Sequence, residues 1–232
     1  LSPAPEATHP APAALCPAPD ATGKRPDAAH PGAYARGGKR LLDLALLLLA
    51  LPVLLPMAGL TALVVRATLG RPVLFAQDRA GLRGRPFRLL KFRTLRDGPG
   101  PDAERLTRAG RVLRALALDE IPQAWNILRG EMSLVGPRPL PPGYVPLYSA
   151  RERLRLAVRP GLAGLAQAKG RNAVPWAERL EWDARYAEAP PRLGADLAIL
   201  AACLACVLRG RGVAAPGHAT MPALSAERER GA

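Results

Sequence analysis

Between Asp43 and Arg66 the chain reads LALLLLALPVLLPMAGLTALVV, residues 44–65, which is 22 positions without a charge. At ~1.5 Å of rise per residue such a helix covers a ~30 Å hydrocarbon layer. The fold is decided here, because a body attached to this segment must live beside a bilayer. Two readings of the segment stay open. The plain one is a single-span anchor. Against it, Pro52 and Pro56 sit at the centre, and each removes a backbone donor. Basic residues also lie on both flanks, Lys39 and Arg40 before and Arg66 and Arg71 after, so the positive-inside rule gives no direction. A hairpin-like, re-entrant helix broken near Pro56, with both ends facing the cytoplasm, satisfies both observations.

Upstream, residues 1–38 hold eight prolines and eleven alanines, and Glu6, Asp20 and Asp27 cancel Lys24, Arg25 and Arg36. This stretch lacks the periodic apolar residues that bury a face, and it reads as a disordered, partly polyproline arm. It has no basic n-region leading an apolar core, so it is not a signal peptide. The net charge of +14 in 232 residues therefore belongs to residues 39–232. A charge of that size asks for a polyanion, an anionic membrane surface or phosphorylated substrates.

Downstream, Arg71 to Arg192 is a polar region punctuated by Gly and Pro. Strand-like PVLFAQ (72–77) and PFRLLKF (86–92) flank a GLRGR turn, and helical patterns follow. The expected fold class is α+β, mostly helical. Leu197 to Leu208, 12 uncharged residues, is too short to span and suits a core helix or one lying in the interface plane. Three cysteines are too few for a disulfide framework. Cys203 and Cys206 form C-x-x-C inside that apolar stretch with no second ligand pair, which argues against zinc.

Three segments carry chemistry. In LDEIPQAWNILRG (118–130) a helix is expected to start at Asp119 and close at Gly130, with Ile121, Trp125 and Leu128 as an apolar stripe. Asp119 and Glu120 can be mere helix caps. Together with Arg114 they can also form a metal-assisted phosphoryl-transfer site, where charge neutralisation and positioning supply most of the catalysis. In MSLVGPRPL (132–140), Pro137 and Pro139 hold Arg138 out of any helix, a rigid presentation that suits bidentate phosphate recognition or a structural loop. VRPGLAGLAQAKGRN (158–172) spaces Arg159, Gly161, Gly164, Gly170 and Arg171 in a loop whose glycines permit close approach to an anion, although it matches no P-loop.

In order, KRLLD, RPVLFAQDRAG, PFRLLKFRT, LDEIPQAWNILRGEMSLVGPRPL, VRPGLAGLAQAKGRN, W-x5-W-D-x2-Y and GADLAIL resemble the bacterial sugar transferase family of monotopic polyprenyl-phosphate phosphoglycosyl transferases, in its small minimal form. The likeness covers roughly residues 39–212. GVAAPGHATM (212–221) is similar to the tail of small members acting on N-acetylated, diamino-type sugars. The resemblance implies a re-entrant membrane helix (39–69) broken at Pro56, a catalytic domain (70–212) facing the cytoplasm with interfacial amphipathic helices, and a C-terminal tail (213–232). It implies transfer of a phospho-sugar from a UDP-sugar to undecaprenyl phosphate at the bacterial inner membrane, with release of UMP, through a covalent enzyme intermediate and with Mg²⁺. Asp119 would be the nucleophile and a metal contact, and Glu120 its dyad partner. Arg114, Arg138 and Arg171 match arginines around the phosphates and nucleotide, and Lys91 and Arg93 match a basic segment near the site. Membrane lipids are expected partners, a homodimer is plausible, and nucleic acid is not expected. Leu55 stands where many members carry Ser, Leu95 where Met is usual, and the loop from Arg96 to Arg108 is short. The competing reading from the residues alone is a membrane-anchored basic protein that holds anionic lipid or nucleic acid. Against it stand the absence of a nucleic-acid motif and an aromatic content of 4%.

Overall fold

The computed structural model describes residues 33–210 and 223–230. Most of the expected arm (1–32) and the whole tail motif GVAAPGHATM (212–221) lie outside the described residues. Helical backbone begins at Ala33, and a π-helical turn, Tyr34–Gly38, leads into α1 (Lys39–Leu69). The end of the expected arm is therefore docked. The Tyr34 hydroxyl donates to Asp196 at 2.6 Å and Lys39 Nζ reaches the same carboxylate at 2.7 Å.

Chain order then runs β1 (Leu74–Ala80), β2 (Pro86–Phe92), a single turn α2 (Asp102–Arg105), α3 (Arg108–Ala115), α4 (Gln123–Leu128), β3 (Ser133–Val135), α5 (Ala150–Arg153), β4 (Gly161–Ala163), α6 (Leu165–Gly170), α7 (Trp176–Glu188), α8 (Leu193–Leu208) and α9 (Leu224–Arg230). This is the α+β, mostly helical class expected. β1 and β2 form an antiparallel hairpin in full register from Leu74↔Phe92 to Ala80↔Pro86, and β3 pairs in parallel with β4.

Helix α1 runs unbroken through Pro52 and Pro56. The interruption expected at Pro56 does not occur as a loss of helical backbone. Both prolines lie on the exposed side, four residues apart and so on one face. The opposite face carries Leu47, Leu54, Ala58, Ala62 and Val65, which pack against the body. A helix in lipid can keep such prolines where neighbouring protein and local adjustment re-satisfy the freed carbonyls. Only 11% of the most apolar 18-residue window is buried, so α1 is no core helix. Leu48, Leu49, Val53, Leu55, Leu60 and Leu63 stand exposed along it. It is long and apolar enough to cross a membrane by length and composition.

Both ends of α1 grip the same body. At the first, Asp43 is buried and accepts from Ser133 Oγ (2.7 Å) and the Leu134 amide (3.1 Å), and Arg40 donates to the Leu128 carbonyl. At the second, Val65 packs with Phe92 and Leu113, and Arg93 donates to the Leu69 carbonyl.

Strand β4 and the segment that follows β3 meet at backbone distance. The Gly136 amide donates to Ala163 O and the Gly161 amide to Pro137 O, each at 2.9 Å. A Cβ on Gly161 would collide with the Gly136 backbone, and one on Gly164 would strike the Gly136 carbonyl. These glycines serve chain against chain, where an anion cradle was expected. Arg159 of the same loop turns to the Gly130 carbonyl.

The expected C-terminal tail contains α9, and Leu224, 1% exposed, enters the core formed by Tyr148, Leu156, Trp176 and Leu180. Arg228 ties this helix to Glu152.

Candidate active site

The helix expected to start at Asp119 does not. Ala117 takes a left-handed backbone (φ 56°), LDE closes a separate 3₁₀ turn at Leu118–Glu120, and α4 begins only after Pro122. Proline suits that start because it has no N–H to leave unpaired. The result is that neither carboxylate caps a helix. Both point into a cleft of about 730 Å³ whose walls come from β1, β2, the LDE turn, the Arg138 loop and the start of α7. Asp119, Glu120, Lys91, Arg93, Arg114, Arg138 and Arg171 all line it. Pro56 alone of the expected residues lies elsewhere, on the exposed face of α1.

The two carboxylates live differently. Glu120 accepts from Lys91 Nζ at 2.8 Å and from Arg138 Nη2 at 2.5 Å. Burial pushes its carboxyl up, but Arg138 and Lys91 outweigh that and hold it well below the usual carboxylate range. Asp119 is 6% exposed, and its one ion pair among the described residues is Lys91 Nζ at 4.0 Å. Burial, with the Glu120 charge beside it, pushes the Asp119 carboxyl up against the pull of Lys91, Arg114 and Arg138. Lys91 is pushed down by burial, which Glu120 only partly offsets. Glu120 raises the Arg138 guanidinium further. One carboxylate is thus a fixed anion held by two cations, and the other is desolvated with a single long ion pair among the described residues.

The remaining cations are set by backbone. Arg114 Nε donates to Thr94 Oγ1 at 3.0 Å. Arg171, at φ 52°, reaches the carbonyls of Arg114 (3.2 Å) and Ala115 (3.5 Å), which binds its loop to the end of α3. A left-handed non-glycine residue is strained and persists where its surroundings fix it. Arg93 behaves otherwise than expected. Its guanidinium is spent on the carbonyls of Leu69 and Arg71 and on Asp97 at 2.9 Å, so it fastens the end of α1 to the cleft. The carbonyls at a helix C-terminus favour a cation there.

Sequence reasoning missed Arg79, Tyr144, Trp176 and Arg179, which line the same cleft. It also missed Arg155, which stands behind the wall and donates to the Arg138 carbonyl at 2.6 Å and to Asp183 at 2.8 Å. Arg79 was within reach of the pattern, since Phe75, Gln77 and Arg79 alternate along β1 and share a face. The others come from segments whose meeting only the fold brings about.

Among the described residues no group of three Asp, Glu, His or Cys side chains converges as a metal cage. With Glu120 committed, Asp119 is the carboxylate of the dyad open to a cation. That fits Mg²⁺, which is commonly held by one or two carboxylates plus substrate phosphates and water.

The bacterial sugar transferase family model matches residues 34–210. The chain is 43% identical over 188 residues to the sugar transferase EpsL of Bacillus subtilis, covering 78% of this chain and 93% of that protein. It is 45% identical over 143 residues to a UDP-glucose:undecaprenyl-phosphate glucose-1-phosphate transferase of Caulobacter vibrioides, covering 57% of this chain and 54% of that one. It is 36% identical over 197 residues to the exopolysaccharide production protein ExoY of Sinorhizobium fredii, covering 75% and 87%.

Proposed function

The chain belongs to the bacterial sugar transferase family and is a polyprenyl-phosphate sugar-1-phosphate transferase, and we propose that it moves a phospho-sugar from a UDP-sugar to undecaprenyl phosphate through a covalent bond to Asp119. The observation that carries the reading is the division of labour in the dyad. Glu120 is saturated by Lys91 and Arg138, while Asp119 is buried beside them without a hydrogen-bonding commitment among the described residues.

An Asp119 carboxylate oxygen attacks the sugar-proximal phosphorus of the donor. The phosphoanhydride bond breaks and its electron pair leaves on UMP. In the second step a phosphate oxygen of undecaprenyl phosphate attacks the same phosphorus, the bond to Asp119 breaks, and the carboxylate is restored as the polyprenyl diphosphate sugar forms. Both substrates are anions, so positioning and charge neutralisation dominate. Arg138 and Lys91 keep Glu120 ionised and add positive charge around the reacting phosphorus, while Arg114 and Arg171 border it. Mg²⁺ held by Asp119 and the phosphates would supply further charge neutralisation.

The same reading places the body on the cytoplasmic side of the inner membrane with α1 entering and returning. Support comes from contact: Asp43 at one end and Val65 at the other pack on one body. The exposed leucines between them face lipid.

The test is UMP release from detergent- or nanodisc-held protein given a panel of UDP-sugars, undecaprenyl phosphate and Mg²⁺. Turnover with at least one donor is expected, together with a phosphosugar adduct on Asp119 when the acceptor is withheld. An Asp119→Asn variant that releases UMP as fast as the parent would overturn the assignment. For topology, Lys39→Cys and Arg66→Cys are expected to be labelled from the same face.

A further inference from the structure

Arg79 is one of the cleft cations that pair with neither dyad carboxylate within 4.0 Å. It sits one residue before the end of β1 and is partly buried, its Nε is enclosed without a hydrogen-bond partner, and one Nη donates to Gln77 Oε1 at 2.6 Å. It makes no ion pair within 4.0 Å among the described residues, and the Glu120 carboxylate of the same cleft is already held by Lys91 and Arg138. A guanidinium enclosed without a counter-ion is costly and is retained where an anion arrives.

The hairpin says which anion. Lys91, one partner of Glu120, stands opposite Phe75, while Arg138, the other, lies on the loop that the Ala80 amide joins to the end of β1 through the Leu140 carbonyl. Arg79 is four residues beyond Phe75, ~14 Å of strand at ~3.4 Å per residue. It is ~17 Å of strand beyond Leu74, where the chain has just left α1. An acceptor phosphate whose lipid tail stays in the bilayer approaches from the α1 side. The donor diphosphate instead extends away from Asp119, because the bond that breaks points away from the attacking oxygen. The same cleft is lined by Tyr144 and Trp176, ring centroids 5.8 Å apart and edge to face, with the Arg179 guanidinium over the Trp176 ring at 5.3 Å. Aromatic and cationic walls of this kind suit a nucleotide.

We propose that Arg79 binds the nucleotide-side phosphate of the donor, the phosphate that departs with UMP, and takes no part in holding the acceptor phosphate. The inference rests on the donor being a UDP-sugar. Consistent with it, burial and the neighbouring Arg138 push the Arg79 guanidinium down to about 10, which an incoming phosphate would reverse.

The experiment uses Arg79→Gln and Arg79→Lys in the full chain, held in nanodiscs. The first reading is UMP binding to the ligand-free protein, by calorimetry and by thermal shift. The second is steady-state kinetics with each substrate varied in turn. For Arg79→Gln the expected result is a loss of UMP affinity and a rise in donor KM, each about 10- to 100-fold, with acceptor KM within about twofold of the parent. Arg79→Lys keeps the charge without the planar fork and is expected to fall between. A parent that binds UMP and an Arg79→Gln variant that binds it equally would overturn the Arg79 assignment alone. A rise confined to acceptor KM would overturn it too, as would a fall in kcat with both KM values unchanged. A parent that binds no UMP would sink the donor reading and this inference together. Should Arg79→Gln not fold, Arg79→Lys carries the test, and UMP affinity equal to the parent's overturns the proposal.

Discussion

Two buried charge clusters lie back to back in this protein. Behind the cleft wall Arg155 and Asp183, each 2% exposed at the side chain, pair at 2.8 Å. Every arm of Arg155 is used, on Asp183, the Tyr148 hydroxyl and the Arg138 carbonyl. In the cleft, Asp119 and Glu120 face Lys91, Arg114, Arg138, Arg171 and Arg79, with cations in excess and Asp119 uncommitted. A saturated cluster has nothing left to offer a ligand and holds its loop still. The unsaturated one keeps cations in excess of its carboxylates. Completeness of pairing, more than burial, separates scaffold from site here.

Breaking the closed pair has the largest expected effect on folding. Asp183→Asn strands a buried guanidinium and is expected to destabilise by ~3–5 kcal/mol, measured by denaturant or thermal unfolding in detergent. A loss under about 1 kcal/mol would mean that water reaches Arg155 and that the contrast is false. On the same back wall, Leu224→Ala opens a cavity in the core shared with Trp176, with ~2–4 kcal/mol expected from the same measurement. In the open cluster, Glu120→Gln also strands cations, but its partners are partly solvated and the expected loss is ~1–3 kcal/mol. Transfer activity, by contrast, is expected to collapse by more than ~10³-fold, the disproportion that marks a site.

The smallest effect has the opposite sign. The Asp119 carboxyl is raised in the folded protein, so the fold binds a proton that the unfolded chain has already lost. That costs stability as pH rises from the ordinary Asp range through the folded value. Asp119→Asn removes the cost and is expected to raise Tm by on the order of a few degrees at neutral pH, with the gap closing below the ordinary Asp range. In the parent, activity is expected to fall on the acid side at a pH above that range. A variant that melts below its parent at neutral pH would show that Asp119 serves the scaffold.

Much of this was legible early. PFRLLKF is β2 with the expected bounds, and PVLFAQ overlaps β1, because alternation and the GLRGR turn are local signals. The dyad and its cations could be named because their motifs are short and contiguous. The role of Arg93 and the glycines of residues 158–172 were less readable, since each is spent on a partner far along the chain: Leu69 for Arg93, Gly136 for Gly161. The same holds for Leu224, whose burial depends on Trp176 and Leu180.

By itself the sequence determined an apolar helix long enough for a bilayer, an arginine-rich body and a pair of adjacent carboxylates in a family pattern. It could do so because hydrophobic length, charge and motif are properties of neighbours in the chain. Only the tertiary structure decided that both ends of α1 bind one body, and that Glu120 is saturated while Asp119 is not. It also decided that Arg79 makes no ion pair within 4.0 Å among the described residues. Those outcomes depend on which distant groups meet and exclude water, and a pairing energy is not written in either partner alone.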